Sequence, residues 1–177
     1  MKKLVLSYGL SWRTPEDKRF LKRNEWKKRI RPKILERDNY TCQYCGFKSE
    51  KEIQINHING EPKDNSDGNL ETICRACHKI THSGFWCTKV KIMDVYAKSN
   101  YSQNEIIQHT RKMREQGIQD KEIINFLGLK EPVCWKQDLN YLSKMFGFIS
   151  SRNPFPSKPV TISEKEQQYA ITNRNKW

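Results

Sequence analysis

Cys42-Gln43-Tyr44-Cys45-Gly46 and Cys74-Arg75-Ala76-Cys77-His78 are the stretches on which the reading of this chain turns. Each holds a Cys-x-x-Cys pair, and 28 residues (46–73) lie between the two pairs. Four thiolates so arranged are the donor set of a closed, tetrahedral structural zinc site. The competing reading is four unliganded cysteines, but two pairs at matched spacing seldom arise by chance. In a chain that reads as intracellular, six cysteines point to metal rather than to disulfides. The other two, Cys87 and Cys134, stand alone and are expected to be free, buried thiols.

The residues between the pairs complete a small fold. Ile53, Ile55 and His57 alternate with polar residues, as a short strand does. Residues 58–68 are polar and rich in turn formers. Leu70 to Ile73 can return as a second strand, and Cys74 to Ser83 read as a helix that Gly84 ends. Strand, loop, strand and helix around zinc make a ββα unit over residues 41–87.

On either side the composition changes. Residues 1–40 are dense in charge, with ten basic residues against Glu25 and Glu36 between Lys18 and Arg37. Phe20, Leu21, Trp26, Ile30, Ile34 and Leu35 recur there at near-helical spacing, interrupted by Pro32. The pattern predicts a short amphipathic helix, a break and a second helix. Lys22, Arg23, Lys27, Lys28, Arg29 and Arg31 are the expected phosphate contacts, against the plainer reading of a solvated face. Residues 88–149 carry helical patterns broken at Gly117 and Gly128, with Asp120 as an expected N-cap. A further helix is predicted from near Pro132 through Trp135, Leu139 and Leu142, which makes a helix-turn-helix across Gly128. Lys130, Trp135 and Lys136 would then touch DNA; the alternative is an ordinary helical bundle. Residues 150–177, with Pro154, Pro156 and Pro159, read as an extended basic tail.

All 177 residues together carry a formal charge of +13, with a mean hydropathy of −0.90. No run approaches the ~18–20 apolar residues of a spanning helix, so no membrane partner is expected. Met1 to Leu6 resemble the start of a signal peptide, but Ser7, Tyr8, Gly9 and Arg13 end the apolar run too early. Five Trp, seven Tyr and seven Phe argue against disorder throughout. A chain this basic seeks polyanions. The expectation is a cytoplasmic, nucleoid-associated protein whose partner is double-stranded DNA.

The ordered set Arg37-Asp38-Asn39-Tyr40-Thr41-Cys42, Cys45-Gly46, Ile55-Asn56-His57-Ile58-Asn59-Gly60, Asn65, Gly68-Asn69-Leu70-Glu71 and Cys74-x-x-Cys77-His78 resembles the HNH endonuclease family. The likeness spans roughly residues 25–84 and is closest to the zinc-bearing, homing-type or restriction-type branch. It implies a ββα-metal finger with structural zinc; with the basic N-terminal helices and the mainly helical C-terminal DNA-binding part read above, an α+β chain is expected. It also implies catalytic roles for His57, Asn69 and His78. His57 would be the general base, Asn69 would fix the loop behind it, and His78 would bind a catalytic Mg²⁺ or Mn²⁺. His82, four residues further on, competes for the last role. Many family members carry aspartate before the first histidine as a metal ligand; here Asn56 takes that place. An amide oxygen lacks the charge, so Asp64 or Asp67 are possible helpers and Asn56→Asp is expected to lower the Mg²⁺ requirement.

Two classes of function follow. One is a sequence-specific, metal-dependent DNA endonuclease. The other is a zinc-ribbon and helix-turn-helix regulator with a silent finger, which needs none of His57, Asn69 and His78. One finger holds one active site, so a monomer would nick and a homodimer would cut both strands.

Overall fold

The computed structural model describes residues 1–8 and 25–150. It mixes helices with two small antiparallel sheets, so the α+β expectation holds. The described residues divide into two compact units: Met1 with 25–78, and 2–8 with 79–150. The expected amphipathic helix before Glu25, Lys22, Arg23 and the tail after Ser150 lie outside the described residues.

In the first unit, a π-helical turn (Trp26–Ile30) runs directly into α1 (Arg31–Arg37). The break expected at Pro32 is therefore a widening instead. Proline has no N–H, and its ring crowds the preceding turn. The chain answers with a wide turn in which the Arg31 N–H reaches Trp26 O. Strand β1 (Ile53–His57) pairs with β2 (Leu70–Cys74) from Ile53↔Cys74 to His57↔Leu70. Helix α2 (Arg75–Thr81) follows at once, and the division between the units falls inside it, after His78. Arg37 ties α1 to the return strand. Its guanidinium donates to Leu70 O (2.8 Å) and Asp67 O (2.6 Å) and to both carboxylate oxygens of Asp38, whose Oδ2 also accepts the Thr72 N–H.

The second unit holds α3 (Ser83–Thr88), β3 (Met93–Lys98), α4 (Gln103–Glu115), α5 (Asp120–Phe126), β4 (Lys130–Val133), α6 (Leu139–Leu142) and β5 (Phe146–Ile149). Strand β3 lies between β4 and β5, antiparallel to both. Ile106, Ile123, Leu127, Leu129 and Phe148 form its buried cluster. Gln103 locks α4 to β5 by exchanging two hydrogen bonds with Gly147. α4 begins at a reciprocal cap between Ser102 and Glu105.

Four expectations change here. The helix predicted from Pro132 through Trp135 is absent: Lys130–Val133 is a strand, and only Leu139–Leu142 is helical. The residue before a proline avoids the α region, and Glu131 sits at φ 56. Pro132 is accommodated on an edge strand, where a missing N–H does least harm. The helix-turn-helix across Gly128 is thus not formed. Gly84 does not end a helix either; α2 stops at Thr81 and Gly84 lies inside α3. A Cβ there would meet Tyr8 O at 2.6 Å and the Trp135 ring at 2.8 Å, so close approach selects the glycine. Asp120 is the first residue of α5 rather than its cap, because its carboxylate pairs with Arg114 (2.7 Å). Finally, Cys134 is exposed and Cys87 half-buried, though burial still pushes the Cys87 thiol up to about 12.

Candidate metal centre and HNH-type site

The Cys42–Phe47 turn closes through Gly46 N–H to Cys42 O (3.0 Å) and Cys42 N–H to Phe47 O (2.9 Å). Gly46, at φ 72, makes the left-handed step that a side chain would resist. Cys74 ends β2 and Cys77 sits in the first turn of α2, which brings the second pair to the first. The four ligand sulfurs lie within 4.8 Å of one another, all buried, with Cys45 and Cys74 3.6 Å apart. A zinc ion at ~2.3 Å from each sulfur needs S···S separations of ~3.8 Å. The donor set therefore fits zinc. Hydrogen bonds among these thiols hold Cys45 at about 7, chiefly through Cys42, and push Cys74 lower still, while Cys42 and Cys77 are pushed up. Among the described residues this is the one cluster of three or more such ligand side chains.

Three other side chains from the sequence reading gather on the same hairpin and helix. His57 ends β1; its Nε2 lies 3.1 Å from Asn65 Oδ1, and the Trp26 ring stacks on it at 5.5 Å and 19°. An amide oxygen only accepts, so this contact places the proton on Nε2 and leaves the lone pair on Nδ1. Asn69 is buried in the 3₁₀ turn before β2. Its Oδ1 accepts the Asn59 N–H (3.0 Å) and its amide donates to Asp64 O (2.8 Å), so it braces the loop that follows His57. His78, in α2, has Nδ1 at 2.6 Å from Gln54 Oε1. That bond fixes the orientation of the ring, as outer-shell partners do for metal-bound imidazoles. Gln54 and Asn56 share one face of β1 because they are two residues apart.

The remaining candidates are occupied differently. Asp67 pairs with Lys33 (2.5 Å), and Asp64 caps its own loop through Ser66 and Asn59, which hold its carboxyl below the usual range. Neither lies free to help at Asn56. His82 falls beyond the end of α2 and in the second unit, so it does not continue the helix face of His78. Lys27, Lys28 and Arg29 are exposed on the π turn, whereas Arg31 donates to Ile53 O. Lys130 is exposed, Lys136 lies over the Tyr141 ring, and Trp135 packs against Gly84 and bonds Ser83. Sequence reasoning passed over Trp26, Tyr44, Gln54 and Glu71 as parts of the site. The period-2 alternation of β1 could have found Gln54; no local pattern marks the other three.

The HNH endonuclease family model matches residues 42–84, from the first zinc-knuckle cysteine into α3. The type 4 apparatus protein DotN of Legionella pneumophila subsp. pneumophila is 37% identical over 75 residues. That stretch is 42% of this chain and 33% of DotN, so the chain spans about a third of the length of this relative. Among the described residues, no helix is long and apolar enough to cross a membrane.

Proposed function

We propose that this chain, which carries an HNH finger over residues 42–84, is a metal-dependent endonuclease acting on double-stranded DNA. The observation that carries the reading is His78. Its Nδ1 is engaged by Gln54, which fixes the ring against the face of β1 that also bears Asn56. Asn56 and His78 would hold the divalent cation, one amide oxygen and one nitrogen being acceptable donors to Mg²⁺ or Mn²⁺. When bound, the cation offsets negative charge that develops on the leaving oxygen. His57, with its lone pair on Nδ1, takes the proton of the attacking water, work for which the imidazole side chain is suited. Asn65 and Trp26 keep the imidazole from rotating, and Asn69 keeps the loop in place. Exposed Lys27, Lys28 and Arg29 supply phosphate contacts.

A supercoiled plasmid incubated with Mg²⁺, resolving nicked from linear product, tests this directly. His57→Ala should slow cleavage by ~10²–10⁴ while DNA binding persists. Cleavage at the wild-type rate by that variant would remove His57 from the chemistry. The second reading is a catalytically silent, zinc-held finger that serves as a binding module within a larger assembly. It is favoured by the similarity to DotN, named as an apparatus protein, and by Trp26 lying over His57. No cutting in Mg²⁺ or Mn²⁺ by a zinc-loaded chain would select it.

A further inference from the structure

Asn56 and Glu71 are directly opposed across the hairpin. Glu71 is only 1% exposed, in a strand whose other members, Leu70, Thr72, Ile73 and Cys74, are also buried. Burying a carboxylate is unfavourable unless hydrogen bonds replace its water. Here Oε1 accepts two: from Asn56 Nδ2 at 2.9 Å and from the Tyr44 hydroxyl at 2.8 Å. Because Glu71 captures the NH₂ end of the Asn56 amide, the Oδ1 end is turned away from Glu71.

We infer that Glu71 is a positioning residue for the divalent-cation site: it orients the Asn56 amide oxygen toward the cation and supplies, one bond network behind it, the negative charge that an aspartate at 56 would otherwise bring. This rests on the cation site of the reading above. The two ligand side chains are then held by parallel devices, Gln54 of β1 for His78 and Glu71 of β2 for Asn56. Tyr44 stands between Cys42 and Cys45, so the turn that carries two of the zinc-site cysteines also supplies a hydrogen-bond donor to Glu71. The sequence-based expectation that Asn56→Asp improves metal use reverses. An aspartate there would set two carboxylates against each other at hydrogen-bond distance.

The test uses the full-length, zinc-loaded chain and Mn²⁺ itself as probe, with free Mn²⁺ followed by electron paramagnetic resonance. Glu71→Gln should weaken Mn²⁺ binding about tenfold or more, in the range that outer-shell partners command, with zinc content unchanged. Tyr44→Phe, a milder change, should weaken it by a smaller factor in the same direction. Asn56→Asp should melt at a lower temperature than wild type and bind Mn²⁺ no more tightly. The swap Asn56→Asp with Glu71→Gln, which exchanges amide and carboxylate, should recover Mn²⁺ affinity beyond either single variant. Wild-type Mn²⁺ affinity in Glu71→Gln, or no recovery in the swap, would overturn the inference even if plasmid is cut. Glu71-dependent Mn²⁺ binding without any plasmid cleavage would uphold it and remove the nuclease reading.

Discussion

Residues 25–78 bury Ile34, Leu35, Ile53, Ile55, Leu70 and Ile73 beside four cysteines, whereas residues 79–150 build a cluster from Ile106, Ile123, Leu127, Leu129 and Phe148 with half-buried aromatics around it. The first unit has a two-stranded hairpin, which is marginal by itself in water. The second has a three-stranded sheet with α4 locked to its edge by Gln103. Zinc held by the four cysteines would make up for what the first lacks in apolar contact, because binding to a site absent from the unfolded chain is folding free energy. The practical lesson is that the two units should fail under different insults.

Cys77→Ser puts most at stake. Structural zinc contributes ~10–16 kcal/mol in small fingers, and three thiolates retain little of it. Zinc content should fall, and amide protons of β1 and β2 should exchange quickly while those of β3 and β5 stay protected. Retained zinc with unaltered protection of β1 would end the contrast between the units. Leu127→Ala tests the other side. Leu127 is wholly buried, so its truncation should destabilise the second unit by ~2–5 kcal/mol in a urea melt and leave zinc content untouched. Zinc loss in that variant would contradict independent support. Gly84→Ala should cost ~1–3 kcal/mol, since the new methyl meets a backbone carbonyl and the Trp135 ring. A crystal structure of that variant with Trp135 displaced is the corresponding observation.

The smallest expected effect is a pH dependence confined to the first unit. Burial alone would raise the Asp38 carboxyl, but the Arg37 guanidinium and the Thr72 N–H hold it below its ordinary value. A carboxyl lowered by folding contributes stability that is present above its unfolded pKa, ~3.9, and is lost as pH falls through the folded value. Asp38→Asn should therefore flatten the acid side of the melting profile of residues 25–78. An acid limb identical to wild type would assign the loss to other groups.

Legible in the sequence were the features that a few neighbouring residues control. The Cys42/Cys45 and Cys74/Cys77 spacing, the alternation over Ile53–His57, the turn-rich loop and the helix breaks at Gly117 and Gly128 all depend on local geometry. His57, Asn69 and His78 were singled out because their order along the chain resembles a family pattern, and the fold places them on one hairpin and its adjoining helix. Tertiary structure alone decided the rest. Pro132 became an edge strand because β3 offered a partner, and Gly84 entered a helix because Tyr8 and Trp135 approach it from far along the chain. Likewise, Glu71 met Asn56 and Tyr44, and Trp26 covered His57, through strand register and chain reversal. Local propensity acts over a turn or two of chain, while a side chain's partner is set by whichever distant segment packing brings within ~3 Å, and residue spacing carries no record of that choice.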